Sequence, residues 1–107
     1  MKVKILFLFM ALLTLTNCKK HDDGTRGVNE IWLHNKRIDP FQTTIAVGTT
    51  IIFINKDNMT HQLSETNNLF SSKLQSGDKY TYTFNTAGIY NIYCAIHNSM
   101  TGAIKVQ

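Results

Sequence analysis

From Val28 to the end of the chain, apolar and polar positions alternate with a period of two. Ile31 and Leu33, Ile45 and Val47, Tyr80, Tyr82 and Phe84, Tyr90 and Ile92, and Ile104 and Val106 each set apolar side chains on one side of an extended segment. Successive side chains of a strand point to opposite faces, so this period predicts short strands with one buried face. The residues concerned are largely β-branched or aromatic, the types that fit a pleated, half-buried surface. Gly48, Gly77-Asp78, Gly88 and Gly102 punctuate the segments, and Pro40 falls in an inter-strand loop where its missing N–H does no harm. Repeated short strands of this kind predict an all-β sandwich or barrel. No internal repeat or low-complexity segment is present.

The N-terminus breaks the pattern. Met1-Lys2-Val3-Lys4 is basic, and Ile5 to Leu15 is almost wholly apolar but too short to span a bilayer as a mature helix. A basic region followed by such a run predicts an export signal over residues 1–17. Leu15-Thr16-Asn17-Cys18 resembles a bacterial lipobox, with Asn17 where a small residue usually stands. The resemblance implies cleavage before Cys18 and lipidation of that cysteine, and several acyl chains anchor a protein stably where one does not. An ordinary secretory signal with an incidental cysteine is the alternative. Residues 18–27 are polar, charged and glycine-bearing, including His21, and predict a flexible tether. Residues 28–107 then form one domain, the most a chain of 107 residues holds.

Charge changes the picture little. The whole chain carries +4, but removing residues 1–17 takes away Lys2 and Lys4, leaving nine Lys and Arg against seven Asp and Glu, a net +2. No basic stripe with interleaved aromatics is present, so a nucleic-acid partner has no basis. There is no glycine-rich phosphate loop and no G-x-S-x-G elbow, and no catalytic residue is assigned.

The chemistry sits just past the Tyr90–Ile92 alternation. Cys94, His97 and Met100 put a thiol, an imidazole and a thioether within seven residues. That soft donor set suits copper better than calcium, magnesium or manganese. A second imidazole, which His61 can supply, would complete a trigonal His₂Cys site with a long axial Met. Cys18 and Cys94 are the only cysteines, which excludes a Cys₄ zinc site and a dinuclear copper site built on two thiolates. With one cysteine lipidated and the other on the metal, no disulfide staples the domain, so bound metal should stabilise it by mass action.

Gly88, Tyr90, Ile92, Tyr93, Cys94, His97 and Met100, followed by Gly102, Ile104 and Val106, resemble the last-strand signature of the cupredoxins. These are the small blue-copper proteins such as plastocyanin, pseudoazurin and amicyanin. The short C-x-x-H-x-x-M spacing is most similar to amicyanin. Upstream, Ile45 to Asp57 resembles the family's V-x-x-G-x-x-V-x-[WF]-x-N-x-D segment leading to the first His ligand, and Phe70 to Tyr80 resembles the stretch that follows it. The resemblance implies a Greek-key β-sandwich binding one type 1 copper ion through His61, Cys94, His97 and Met100. It also implies an edge of His97 near the surface in an apolar patch. The implied role is a one-electron carrier between redox proteins, such as cytochromes or a terminal reductase or oxidase, in the bacterial cell envelope. The carrier would be a monomer, lipid-anchored to the outer membrane and facing the periplasm. Copper storage or delivery is the alternative, and a metal-free binding module of the same fold would have lost a ligand.

The chain departs from the family pattern at Gln62, where Asn usually braces the ligand loop, and at Ile96 and Asn98, where proline usually flanks the second His. Both changes bear on the potential more than on the metal. Trp32 is expected in the sandwich core, His34 in solvent, and Met59 is a less favoured axial donor than Met100.

Overall fold

The computed structural model describes residues 25–107. The export signal over 1–17, the lipidation site Cys18 and most of the tether, including His21, lie outside the described residues. Within them nine strands run in order: β1 (Glu30–His34), β2 (Arg37–Asp39), β3 (Gln42–Ile45), β4 (Thr49–Asn55), β5 (His61–Glu65), β6 (Ser71–Leu74), β7 (Lys79–Phe84), β8 (Gly88–Cys94) and β9 (Thr101–Val106). Among the described residues no helix is long and apolar enough to cross a membrane.

The strands form two sheets, β2-β1-β4-β7 and β3-β9-β8-β5-β6. β1 runs parallel to β4 and β3 parallel to β9, while every other pair is antiparallel. Each parallel pair needs a long connection, and the chain supplies it by passing from one sheet to the other. The β2–β3 crossing contains Pro40, after a cis Asp39–Pro40 bond, and lies against β9 at Gly102. A Cβ on Gly102 would stand 3.0 Å from both Ile38 Cγ2 and the Phe41 carbonyl oxygen. A side chain there would push Ile38 and the Phe41 carbonyl back by a few tenths of an ångström.

The predicted alternation packs between the sheets. Ile31, Leu33, Ile51, Phe53, Leu63, Phe84, Ile92 and Ile104 are fully buried there. Tyr80, Tyr82 and Phe84 share one face of β7, and Phe70 packs on all three, with ring centroids 4.8 to 6.4 Å apart. Such tilted and edge-on pairs add about 0.5–1.5 kcal/mol each beyond area burial. One predicted pair breaks up: Ile45 is buried at the end of β3, whereas Val47 is exposed in the turn to β4, where Gly48 takes φ +92°.

Two expectations need correction. Trp32 is buried but lies on the opposite face of β1 from Ile31 and Leu33, because neighbours on a strand cannot share a face. Its ring is covered instead by Lys56 Nζ, 4.5 Å from the centroid, and its Nε1–H donates to Glu30 Oε1 at 2.9 Å. His34 is half-buried, edge-on to Trp32, and accepts a bond from Asn35 Nδ2 at 3.3 Å. Ahead of β1, Arg26 pairs with Asp39 at 3.2 Å, and Gly27 N–H donates to Glu30 Oε1 at 3.0 Å.

The bond from Trp32, then that from Gly27, hold the Glu30 carboxyl below the ordinary glutamate value of 4.5. A group whose folded pKa is depressed contributes stability that is complete above its unfolded value and is lost as pH falls through the folded one. Acid unfolding of the metal-free protein, followed by circular dichroism, should therefore steepen below about pH 4.5. Glu30→Gln should flatten that part of the curve, and an unchanged curve would remove Glu30 from the account.

Candidate metal centre

Cys94 is the last residue of β8, on the same side as Tyr90 and Ile92, and is buried. β8 pairs with β5 through Leu63 opposite Cys94, which brings the first residue of β5, His61, beside the thiol. His61 is completely buried. The loop 95–100 then folds back on itself: Met100 N–H donates to the His97 carbonyl at 3.0 Å, and the Met100 carbonyl accepts from Cys94 N–H at 3.0 Å. This compact loop turns half-buried His97 onto the other two residues and buries Met100 at 1% exposure.

The three donor atoms form a nearly equilateral triangle. His61 Nδ1 and His97 Nδ1 are 3.2 Å apart, and each lies 3.7 Å from Cys94 Sγ. A triangle with these edges has a point about 2 Å from every corner, which is a metal bond length for imidazole nitrogen and close to that for thiolate sulfur. His61, Cys94 and His97 are also the residues whose ligand atoms gather closely enough to hold an ion, all within 4.8 Å of one another. The ring chemistry fits a metal as well. His61 Nε2 lies 2.8 Å from Asp57 Oδ2, a carboxylate that only accepts, so Nε2 carries the proton and a neutral ring presents a bare Nδ1 to the triangle. Two imidazoles and one thiolate in a trigonal arrangement, with a buried thioether on the adjoining loop, are a donor set for copper.

The surroundings support the donors. Gln62 N–H donates to Cys94 Sγ at 3.3 Å. The Gln62 carbonyl accepts from Ala95 N–H at 2.8 Å, so the backbone brace expected of an Asn at this position is present. The side chain goes elsewhere, donating to Ser71 Oγ at 2.9 Å, and leaves the ligand loop without a side-chain brace. Met59 is half-buried, and its carbonyl takes a bond from Asn55 Nδ2 at 2.8 Å. Ile96, beside His97, is exposed.

Two supporting residues carried no assigned role in the sequence. Asn55, fully buried at the end of β4, donates through Nδ2 to the Met59 and Leu74 carbonyls and accepts from Asp57 N–H, which moulds the loop 56–60. Burial works to raise the Asp57 pKa, but bonds from His61, Lys36 and Asn35 and the nearby His61 ring outweigh it and hold the carboxyl below its ordinary range. The signal for both was their N-x-D spacing ahead of His61.

The family model for the cupredoxin-like domain matches residues 4–106. Among solved structures, a purple cupredoxin from Nitrosopumilus maritimus is 27% identical, with a TM-score of 0.67 over 73% of this chain and 98% of that one. A copper-containing nitrite reductase from Thermus scotoductus SA-01 is 28% identical, with a TM-score of 0.68 over 73% of this chain but only 22% of the reductase. Amicyanin from Paracoccus versutus shares the fold at 22% identity, with a TM-score of 0.67 over 73% of this chain and 79% of that one. No curated protein matches the chain. With a two-sheet all-β sandwich, a His₂Cys triangle at one end and a family match across nearly its whole length, the chain belongs to the cupredoxin-like family.

Proposed function

We propose that the protein is a one-electron carrier whose copper would be held by His61, Cys94 and His97, with Met100 as a weaker fourth donor. The observation that carries this reading is the triangle of two imidazole nitrogens and one sulfur, with edges of 3.2 to 3.7 Å. Copper, when bound, supplies one-electron chemistry by cycling between Cu(I) and Cu(II). The chain's part is to keep the donors still through the change. Cys94 and His61 stand on paired strands, and the loop 95–100 is closed by its own backbone bonds. Met100 lies buried on the same closed loop, and its thioether, as a donor, would tune the potential. Tyr93, next to Cys94 on β8, offers a route into the protein.

Half-buried His97 beside exposed Ile96 gives the partner a small apolar contact. Redox encounters commonly use interfaces below about 1,200 Å², which lets the partner leave quickly. The partners we favour are cytochromes or a terminal reductase or oxidase of the bacterial cell envelope, met by a monomer tethered through lipid on Cys18. The protein itself catalyses no reaction in this reading. Its likeness to a copper-containing nitrite reductase covers 22% of that enzyme, and a copper-binding unit is the part we take the two to share.

The test is addition of Cu(II) to the protein, followed by visible absorption and EPR spectroscopy. An intense thiolate-to-copper band that bleaches on reduction and returns on oxidation, without loss of metal, is the expected result. A weak tetragonal Cu(II) spectrum, a preference for zinc, or metal lost on each cycle would overturn the carrier and favour copper delivery.

A further inference from the structure

Asp57 makes more bonds than a surface aspartate needs. Its Oδ2 accepts from His61 Nε2–H at 2.8 Å and from Lys36 N–H at 3.0 Å, and its Oδ1 accepts from Asn35 N–H at 2.7 Å. Its own N–H donates to Asn55 Oδ1 at 2.9 Å. One residue thus joins three parts of the chain: its carboxylate holds the turn between β1 and β2 and the first residue of β5, and its N–H holds the end of β4.

The turn has an unusual backbone. Asn35 and Lys36 both take left-handed conformations, φ +54° and +57°. This is a two-residue hairpin turn of the type that favours Asn-Gly, and here lysine occupies the glycine position. Two successive N–H groups of that turn converge on the Asp57 oxygens, so the anion compensates for a strained residue. At the other end of the carboxylate stands a fully buried ring. Among the described residues no other atom bonds His61 Nε2, and the Asp57 side chain is only 12% exposed, which leaves water little room to replace it.

We propose that Asp57 is a positioning residue of the metal centre: it fixes the His61 tautomer that bares Nδ1 and, by its charge, lowers the potential of the bound copper. This rests on the copper reading given above. A carboxylate bonded to the far nitrogen of a ligating imidazole sets ring orientation and makes the ring a stronger donor. The extra negative charge favours Cu(II) over Cu(I), and screening is weak because the contact is nearly buried. The same carboxylate clamps the β1–β2 turn, so the turn and the metal share one support.

Three variants separate these roles. Asp57→Asn removes the charge but can still accept from His61 Nε2–H. Asp57→Ala removes both. Lys36→Gly, added to Asp57→Asn, relieves the left-handed residue and supports the turn without the carboxylate. At one fixed pH, Asp57→Asn should melt lower than the parent protein and weaken the preference for Cu(II) over Cu(I) about tenfold, which for a one-electron couple is about 59 mV upward. Adding Lys36→Gly should restore the melting temperature and leave the potential raised. If the potential returns with the melting temperature, or never moves, Asp57 only clamps the turn and the proposal is overturned.

A readout on the metal-free protein keeps this separate from the copper reading. The ¹⁵N signals of His61 should show a protonated Nε2 and a bare Nδ1 in the parent and in Asp57→Asn, and mixed tautomers in Asp57→Ala. A proton on Nδ1 in the parent would overturn the positioning role whatever metal the protein binds. Failure of the parent itself to give a reversible copper band would instead bring down the carrier reading.

Discussion

Cys94→Ser should abolish the intense visible band of the copper-loaded protein and leave a weak, tetragonal Cu(II) signal. Sulfur supplies the soft, readily ionised donor of the triangle, whereas a serine hydroxyl is hard and stays protonated. His61 and His97 would remain, 3.2 Å apart at their Nδ1 atoms, and two imidazoles bind Cu(II) without the thiolate. Affinity should fall more than about 100-fold, because loss of an outer partner of a ligand alone costs 10–100-fold. The metal-free fold should survive. Serine puts a hydroxyl where a sulfur was 1% exposed, and Gln62 N–H can donate to it, so the cost should be about 1 kcal/mol. In a domain of this size that lowers the melting temperature by about 4–8 °C. Visible and EPR spectra with a competition titration check the first part, and thermal melts without metal check the second. A variant that kept the band would remove Cys94 from the site.

The ligand residues were legible because their chemistry is rare and their spacing short. Cys94, His97 and Met100 sit on one strand end and the loop after it, so local sequence almost dictates their meeting. His61 needed the further step that β5 pairs with β8, which the residues flanking each ligand supplied through family likeness. The strands β7, β8 and β9 were equally plain, since Tyr80, Tyr82 and Phe84 or Ile104 and Val106 keep strict alternation. β5 was harder, because Ser64 and Glu65 are polar yet buried. Glu65 Oε1 accepts from Asn67 and Leu69 N–H in the following turn, a local duty that alternation does not reveal.

What the sequence hid is what depends on distant contacts. Trp32 is a different case, because its outward face follows from Ile31 and Leu33 on either side of it and alternation alone places it. Asp57 sits on a loop where aspartate is ordinary, and its weight comes from Asn35 and Lys36, which precede it by 22 and 21 residues. Gln62 shows both sides of this limit. Its replacement of Asn predicted a changed brace, yet the backbone bonds to Cys94 and Ala95 do not depend on the side chain and persist.

Asn55→Ala should be the most destabilising of the changes considered, and it should weaken copper binding from outside the triangle. The side chain is fully buried and makes three bonds: to the Met59 carbonyl at 2.8 Å, to the Leu74 carbonyl at 2.8 Å, and from Asp57 N–H at 2.9 Å. Alanine leaves two acceptors and a donor without partners, and each such buried group costs about 1–3 kcal/mol. Water can reach half-buried Met59, so about 3 kcal/mol in total is the expected loss. Stability of about 0.05–0.15 kcal/mol per residue makes that a large share of the whole for this domain. The loop 56–60 would lose its shape, and with it the Asp57 carboxylate that holds His61 Nε2, so copper affinity should fall more than about tenfold. Asn55→Asp should do no better, because a carboxylate in this place faces two carbonyl oxygens and has no hydrogen to give either. Chemical denaturation with and without metal, together with competition titration, measures both effects. If Asn55→Ala lost less than about 1 kcal/mol and bound copper as before, the loop would owe its shape to the strands on either side rather than to this amide.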